Sequence, residues 1–228
     1  MNSLAEEFGS ARAALRARGR ARRAGGAGRV KRACDVAAAL ALLVFCAPLM
    51  AAVAVAIKAQ DGGPVLFRHT RCGRGGESFG LWKFRTMRLD AAERLASLLE
   101  EDPEAEAEWT RTRKLRRDPR VTRLGRLLRK SSLDELPQLV NIIAGQMSVV
   151  GPRPVMADEL AGYGAARGAY EAVRPGVTGL WQVSGRNDLS FEARVVLDAA
   201  YVRDWSLMRD LAILARTVPV VLTARGAY

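Results

Sequence analysis

An uncharged run of 22 residues, 36–57, constrains this chain more than any other feature of the sequence. As a helix rising about 1.5 Å per residue, the run would reach about 33 Å, enough to cross a hydrocarbon core of roughly 30 Å. A core helix of a soluble protein is the alternative. A cleaved signal peptide fits poorly, because its apolar stretch is usually only ~7–15 residues long.

Two features argue against a simple crossing of the membrane. Pro48 lies inside the run, where proline removes one backbone hydrogen bond and bends the helix. Both flanks are basic, with an arginine-rich segment before the run and Lys58, Arg68, Arg71 and Arg74 after it. Because positive charge marks the cytoplasmic side, both ends fit better on that side. A re-entrant membrane helix that breaks near Pro48 and returns is predicted over residues 30–60, with a simple span as the alternative.

The overall charge narrows the classes of partner. The 228 residues carry a formal net charge of +12, which suits nucleic acid, anionic lipid or a phosphorylated substrate. Three widely spaced cysteines form no disulfide framework, so a reducing compartment is expected. The single histidine, His69, excludes a histidine-rich metal site and is expected to be an ordinary strand or loop residue.

Residues 1–29 form an arginine-, alanine- and glycine-rich segment with few apolar side chains to bury. A disordered basic tail is predicted here. It is either a solvated tail or a contact to anionic lipid headgroups, where each cation would contribute on the order of 1 kcal/mol. Residues 61–228 are predicted to form a catalytic domain on the cytosolic face of the membrane.

The pattern beyond the apolar run predicts an α+β fold that is mostly helical, with a small β-hairpin. Residues 64–68 and 78–85 are predicted to form short strands joined by a glycine-rich turn. This turn is not a phosphate-binding Walker loop, because it lacks the Gly-Lys-Ser/Thr sequence of such loops. Residues 90–117 indicate a charged, solvated helical region. Residues 119–130 set an apolar stripe against a basic face, typical of an amphipathic helix that packs on the core, lies in the membrane interface, or does both. Further helices are expected near 155–172, 189–204 and 207–222.

The feature that carries chemistry is the adjacent carboxylate pair Asp134 and Glu135. Neighbouring side chains on a helix diverge by about 100°, so one can attack or hold a phosphorus centre while the other positions a cation or a proton. Phosphoryl transfer also needs its negative oxygens neutralised by Mg²⁺ and by Arg or Lys. Arg129 lies nearby, and Arg153 lies between two prolines that restrict its backbone, which suits bidentate phosphate binding. Adjacent Asp and Glu are also common on solvated surfaces, so the pair alone is ambiguous.

Four motifs occur in an order and at a spacing that resemble the bacterial sugar transferases, also called monotopic phosphoglycosyl transferases. They read KFRTM at 83–87, SLDELPQL at 132–139, MSVVGPRP at 147–154 and RPGVTGLWQVSGR at 174–186. The resemblance runs from about residue 31 to residue 228, and it is to the small members that initiate exopolysaccharide synthesis.

The resemblance implies an enzyme that transfers a sugar 1-phosphate from a UDP-sugar to a polyprenyl phosphate such as undecaprenyl phosphate, releasing UMP. It implies Asp134 as the nucleophile that carries a covalent phosphosugar intermediate. Glu135 is linked to the Mg²⁺ cofactor and to deprotonation of the acceptor, and both carboxylates are candidate metal ligands. The family's required basic residues map onto the phosphate-binding candidates Lys83, Arg129 and Arg153.

The resemblance also bears on the nucleotide end and on the membrane. It associates Arg174 with nucleotide binding and maps a proline-broken membrane helix onto Pro48, where Ala47 stands in place of the serine of many relatives. The implied location is the cytoplasmic face of the bacterial inner membrane. Implied partners are a UDP-sugar, undecaprenyl phosphate, anionic lipid headgroups and, by analogy, a second copy in a homodimer, with no nucleic acid. The ending 225–228 resembles members that use UDP-galactose or UDP-glucose.

Two alternatives without catalysis stay open from the residues alone. A membrane-anchored basic protein that binds nucleic acid or an acidic polymer explains the charge and the tail, but it leaves Asp134, Glu135 and Arg153 without a role. A bitopic scaffold protein with a spanning helix is the other alternative.

Overall fold

Helices make up most of this computed structural model, which describes residues 26–112, 115, 117–185 and 189–222. The helices are α1 (Gly26–Asp61), α2 (Ala91–Glu101), α3 (Pro103–Thr112), α4 (Arg123–Ser131), α5 (Gln138–Ile143), α6 (Ala157–Ala161), α7 (Arg167–Glu171), α8 (Phe191–Arg203) and α9 (Leu207–Leu222). The strands are β1 (Leu66–Cys72), β2 (Ser78–Phe84), β3 (Ser148–Val150) and β4 (Gly176–Thr178). The prediction of a mostly helical α+β fold with a small hairpin is confirmed. Most of the predicted tail, residues 1–25, and the ending 225–228 lie outside the described residues.

The long helix α1 runs from Gly26 to Asp61 with Pro48 inside it. The sequence had predicted a break near Pro48. This prediction is wrong, because the helix continues through Pro48. Proline removes only the hydrogen bond that its own nitrogen would have donated one turn back, and the other backbone bonds of so long a helix hold it together. Among the described residues, α1 is the helix long and apolar enough to cross a membrane by length and composition.

One face of α1 packs against the rest of the domain along most of its length. Its buried and half-buried side chains recur at steps of three and four residues, at Asp35, Ala39, Leu43, Cys46, Met50, Val53 and Ile57. Ala39 joins the core cluster that contains Ile142. Ile57 joins the cluster that contains Phe84 and Leu128. Both halves of the helix therefore contact the same domain.

Buried ion pairs and hydrogen bonds fix the beginning of α1. Lys31 Nζ donates to Asp210 Oδ2 at 2.7 Å, and the hydroxyl of Tyr201 donates to the other oxygen of that carboxylate at 2.8 Å. The hydroxyl of Ser148 donates to Asp35 Oδ2 at 2.7 Å. A buried charge without a partner is strongly unfavourable. These pairs therefore hold the beginning of α1 against β3 and α9.

The opposite face of α1 is apolar and exposed. Val44, Phe45 and Val55 are 76%, 81% and 68% exposed, and this face carries no charged residue between 36 and 57. A helix on the surface of a soluble domain normally turns polar and charged side chains outward. A continuous apolar face of this kind marks a surface that contacts lipid or another apolar partner.

The hairpin of β1 and β2 is antiparallel, with Leu66 opposite Phe84. On the other edge of β2 lies Asn141 of α5, which is fully buried. Its Oδ1 accepts from the N–H of Trp82 at 3.0 Å, and its Nδ2 donates to the carbonyl of Gly80 at 2.8 Å. The Asn141 amide thus continues the hydrogen bonding of the strand and fixes α5 beside β2.

A second, parallel pair joins β3 to β4, with Ser148 opposite Gly176 and Val150 opposite Thr178. Strand β4 lies between the helices predicted near 155–172 and 189–204, in a stretch for which no strand was predicted. Strands of three residues give no periodic signal, so their pairing becomes visible only in the tertiary structure. A Cβ on Gly176 would lie closer than 3.0 Å to the backbone of Gly151, so glycine permits this approach.

Replacement of Asn141 by leucine should destabilise the protein. The change would leave the N–H of Trp82 and the carbonyl of Gly80 buried without partners, at a cost of about 2–4 kcal/mol. Chemical unfolding of the detergent-held protein measures this loss. Val140→Ala, a change at an exposed position of the same helix, is the matched control. Equal stability of Asn141→Leu and Val140→Ala would contradict the assigned role.

Candidate active site

The two adjacent carboxylates lie in a 3₁₀ turn, Leu133–Glu135, between α4 and α5. Ser132 closes α4 with left-handed backbone angles (φ 58°, ψ 16°), and the turn begins from it. Left-handed backbone is uncommon for a residue other than glycine, so this reversal is a specific feature of the site. Asp134 and Glu135 are therefore held on a tight connection between two helices.

Lys83, near the end of β2, contacts both carboxylates. Its Nζ lies 2.6 Å from Glu135 Oε1 and 3.5 Å from Asp134 Oδ2. The structure thus brings together three of the residues predicted from the sequence, although Lys83 lies about 50 residues before the pair. The longer distance to Asp134 leaves that carboxylate the less tightly bound of the two.

Asp134 is buried, with 7% of its surface exposed. Burial is the largest influence on its carboxyl group and raises its pKa. The charge of Lys83 opposes this, the charge of Glu135 raises the pKa further, and the charge of Arg129 lowers it. A carboxylate with little solvation and with cations beside it is suited to act as a nucleophile toward an electrophilic phosphorus.

Arg129 reaches the site from α4. Its Nε donates to Thr86 Oγ1 at 3.0 Å, just beyond the end of β2. Burial lowers the pKa of Arg129, and Asp134 has the largest opposing effect. One turn earlier, a Cβ on Gly125 would lie closer than 3.0 Å to the backbone carbonyl of Thr86. Glycine therefore allows α4 to approach β2 closely enough to place Arg129 near Asp134.

Arg153 follows β3 in the chain and lies within electrostatic range of Arg71 and Arg194. Its Cζ is 5.7 Å from the ring centre of Trp181. Burial lowers the pKa of His69 most, and the charges of Arg71, Lys83 and Arg153 lower it further. Both Lys83 and Arg153 are thus within electrostatic range of His69. His69 itself is the ordinary strand residue that the sequence led us to expect, since it lies in β1.

Arg174 lies at the end of α5 instead of beside the carboxylates. Its Nε donates to the carbonyl of Gly145 at 2.6 Å. Arg32 of α1 donates to the carbonyls of Ile142 and Ile143 at 2.7 and 3.1 Å. The two arginines satisfy carbonyls at a helix end that the helix itself leaves without partners. The nucleotide-binding role of Arg174 stays a prediction.

The supports of the site were not singled out from the sequence. Gly125 carried a signal, because a glycine inside an amphipathic helix costs about 1 kcal/mol relative to alanine and often marks close packing. Thr86 lies within the KFRTM motif but between more prominent basic residues. Asn141 carried no signal, since its partner is a strand edge 59 residues away in sequence.

Asp134 and Glu135 are the residues that would hold Mg²⁺. No cluster of three or more His, Cys, Asp or Glu side chains that could hold a metal occurs in the part of the chain that the structure describes. Mg²⁺ is, however, commonly held by one or two carboxylates together with substrate phosphates and water. Asp134 and Glu135 already converge on one cationic atom, Lys83 Nζ. Their oxygens therefore fit a metal that arrives with a phosphorylated substrate.

Comparison with known families matches residues 27–224 to the bacterial sugar transferases. The chain belongs to the bacterial sugar transferase family. The match spans the long helix, the hairpin and the carboxylate turn, together with Lys83, Arg129 and Arg153. The chain is accordingly an enzyme, and the non-catalytic binding and scaffold alternatives are set aside.

Several curated relatives are similar in sequence to this bacterial sugar transferase over most of its length. The exopolysaccharide production protein ExoY of Rhizobium meliloti is 51% identical over 201 residues, which cover 88% of this chain and 89% of the relative. The undecaprenyl-phosphate galactose phosphotransferase of Salmonella typhimurium is 47% identical over 87% of this chain and 42% of its own length. The UDP-glucose:undecaprenyl-phosphate glucose-1-phosphate transferase of Caulobacter vibrioides is 44% identical, covering 87% of this chain and 72% of the relative.

Replacement of Gly125 by alanine should impair the site without touching any charged group in it. The added methyl would collide with the carbonyl of Thr86, so α4 would shift and carry Arg129 away from Asp134. Displacements of about 1 Å at a catalytic group can reduce rate by about 10²-fold. The rate of sugar transfer, measured on protein shown to be folded, checks this. Gly26→Ala is the control, because its methyl would meet nothing within 4 Å; equal rates for the two variants would refute the packing argument.

Proposed function

We propose that this sugar transferase moves a sugar 1-phosphate from a UDP-sugar, with galactose or glucose as the sugar, to undecaprenyl phosphate and releases UMP. The observation that carries the proposal is the buried Asp134 with Lys83 and Arg129 beside it. Two relatives that align with 87% of this chain, at 47% and 44% identity, bear names that specify undecaprenyl-phosphate galactose and glucose phosphotransfer. The product would begin the membrane stage of exopolysaccharide or glycoconjugate synthesis.

The reaction divides into two substitutions at one phosphorus atom. First, a carboxylate oxygen of Asp134 attacks the phosphorus that bears the sugar, the bond to the bridging oxygen breaks, and UMP leaves with the electron pair. Second, an oxygen of undecaprenyl phosphate attacks the same phosphorus and the Asp134 carboxylate leaves. The product is an undecaprenyl diphosphate sugar. A covalent intermediate allows a water-soluble donor and a lipid acceptor to bind in turn at one site.

The remaining residues of the site would stabilise charge and move a proton. Lys83 and Arg129 offset the negative charge that develops on the phosphoryl oxygens in both steps. Glu135, 2.6 Å from Lys83, would accept the proton of an acceptor that arrives protonated. Asp134 and Glu135 would hold Mg²⁺, which would supply positive charge to neutralise the diphosphate oxygens. Arg153 would hold a phosphate farther along the donor.

We further propose that the enzyme is monotopic and works at the cytoplasmic face of the bacterial inner membrane. Both halves of α1 contact one domain, and this contact supports a topology in which both ends of the helix lie on the same side of the bilayer. The exposed apolar face of α1 would then lie in one leaflet. Met208 and Leu211 of α9, 73% and 57% exposed, would extend this lipid contact. The basic side of α4 would contact anionic headgroups.

The replacement Asp134→Asn should abolish catalysis. Asparagine keeps the size of the side chain but removes the nucleophilic carboxylate, so UMP release should fall by about 10³-fold or more. The assay uses nanodisc-held protein with undecaprenyl phosphate, Mg²⁺ and a panel of UDP-sugars. Asp204→Asn, at an exposed position of a surface ion pair, is the control, and chelation of Mg²⁺ should also stop release. Undiminished turnover in Asp134→Asn would refute the nucleophile assignment.

The ends of α1 should be accessible from the same side of the membrane. Cys34 near its beginning is exposed, and Ala59→Cys would add an exposed thiol near its end. A membrane-impermeant maleimide should label both positions in inside-out vesicles and neither in intact spheroplasts. Cys34→Ala without the added cysteine gives the background from Cys46 and Cys72. Labelling of the two positions from opposite sides would establish a simple span.

A further inference from the structure

A cavity of about 430 Å³ lies where the end of α1, the segment after β2 and the beginning of α4 meet. Gln60 and Asp61 border it from α1, residues 88–90 from the segment after β2, and Thr122 and Arg123 from the beginning of α4. Its volume lies within the range of about 300–1,000 Å³ that is typical of ligand sites. None of the candidate catalytic or phosphate-binding residues borders it.

The two carboxylates at this cavity are already paired with arginines. Arg85 Nη2 donates to Asp61 Oδ1, and the backbone N–H of Gly63 donates to the same oxygen at 3.1 Å. Arg94 Nε donates to Asp90 Oδ2 at 2.8 Å. Each carboxylate thus has a counter-charge of its own, which weakens its repulsion of an entering anion.

Two further arginines at the cavity have no such partner. The side chains of Arg88 and Arg123 make no hydrogen bond or ion pair with the residues that the structure describes. Arg88 is within electrostatic range of Asp90, but the carboxylate of Asp90 is bound by Arg94. A helix also begins at Arg123 with no acidic residue in its first turn, so its partial positive charge adds to the excess. The cavity therefore favours an anion.

A buried guanidinium at the wall of the cavity has hydrogen-bonding capacity to spare. The side chain of Arg85 is 8% exposed, and its Nη1 is buried without a hydrogen-bond partner among the described residues. Gly63 lies against both this nitrogen and the side chain of Leu89, which borders the cavity. Because a buried donor without an acceptor is unfavourable, an oxygen atom that enters beside Leu89 would stabilise Arg85.

The place of the cavity in the fold excludes a reacting phosphate. The cavity lies at the beginning of α4, whereas Asp134 follows the end of that helix. Nine residues at about 1.5 Å each separate the two ends of α4 by about 12 Å, and a phosphorus that Asp134 attacks must lie next to its carboxylate. A nucleobase also fits poorly, because no aromatic side chain occurs among the described residues that border the cavity.

The apolar surfaces next to the cavity point to a lipid. Leu89 borders the cavity and is 59% exposed. Ala56 is exposed and lies four residues before Gln60, on the same side of α1. The exposed apolar face of α1 therefore reaches the cavity. An anionic phospholipid combines a phosphodiester, which guanidinium groups bind well, with acyl chains that suit such a face.

We infer that the cavity between Arg88 and Arg123 binds the phosphodiester headgroup of an anionic phospholipid that is not a substrate. This inference rests on the proposed function, in which α1 lies in one leaflet of the membrane. The two guanidinium groups would contact the phosphate oxygens, and the acyl chains would follow Leu89 and the exposed face of α1. The bound lipid would join the end of α1 to the beginning of α4, the helix that carries Arg129. It would thereby fix the depth of the active site at the membrane surface.

Native mass spectrometry of the detergent-held protein, without donor or acceptor, tests this site separately from catalysis. One molecule of phosphatidylglycerol should bind at least about 10-fold more tightly than phosphatidylcholine with the same acyl chains, whose headgroup has no net charge. Arg88→Gln combined with Arg123→Gln should weaken phosphatidylglycerol binding by about 10-fold or more, because charge-assisted contacts are lost. Arg167→Gln combined with Arg203→Gln removes the same charge from exposed ion pairs. This matched control should bind the lipid as the unmodified protein does.

A second variant should change the affinity in the opposite direction. Asp90→Asn keeps the size of the side chain but removes a negative charge beside the cavity and frees Arg94. Phosphatidylglycerol binding should therefore strengthen several-fold. A gain of affinity cannot arise from misfolding, so this variant keeps the test decisive if the double arginine variant folds poorly.

The outcomes separate the lipid site from the reaction. Equal affinity for the two lipids, or equal phosphatidylglycerol affinity in the double arginine variant and its control, would overturn the site even if sugar transfer is observed. Inorganic phosphate that competes as well as phosphatidylglycerol would overturn the assignment to a lipid, and UMP that does so would give the cavity to the donor. Selective binding that is lost in the double variant and strengthened in Asp90→Asn would support the site even if no tested UDP-sugar turned over.

Discussion

The burial of the Asp134 carboxylate beside two cationic side chains is the constraint on which the packing of the site depends. Asp134 is removed from water, and burial would neutralise it unless cations were placed beside it. Lys83 comes from β2 and Arg129 from α4. Keeping both near Asp134 requires that β2, α4 and the beginning of α5 meet at one point. The catalytic proposal therefore depends on how these three segments are packed.

Two uncharged contacts achieve that packing. The absence of a side chain at Gly125 lets α4 approach the carbonyl of Thr86. The amide of Asn141 occupies the edge of β2 and holds α5 beside it. Neither residue reaches the carboxylates, yet together they set where the charged residues lie. Enzymes commonly use some residues for chemistry and others for support, since catalytic groups are effective only when the residues that support them are rigid.

The long helix α1 connects this site to its proposed lipid environment. Its inner face is anchored at both halves by the core of the domain, and its beginning is fixed further by the pairing of Lys31 with Asp210. Its outer face is apolar and unsuited to water. In the proposed monotopic arrangement, the domain faces both water and lipid, and its active site would meet a soluble donor and a membrane-bound acceptor.

Lys83 became a candidate only through the resemblance to a family. The sequence by itself determined the class of fold, the apolar helix, the hairpin and the carboxylate pair, with Arg129 and Arg153 as basic candidates. These features are local, because periodicity, turn residues and motifs are written in neighbouring positions. It also predicted a break in the helix at Pro48, which the structure does not show. Only the tertiary structure decided that Lys83 contacts Asp134 and Glu135, that Arg174 lies at the end of α5, and that β3 pairs with β4. Each of these depends on contacts between segments far apart in the chain, and side-chain packing and hydrogen bonding at such contacts leave no periodic trace in the sequence.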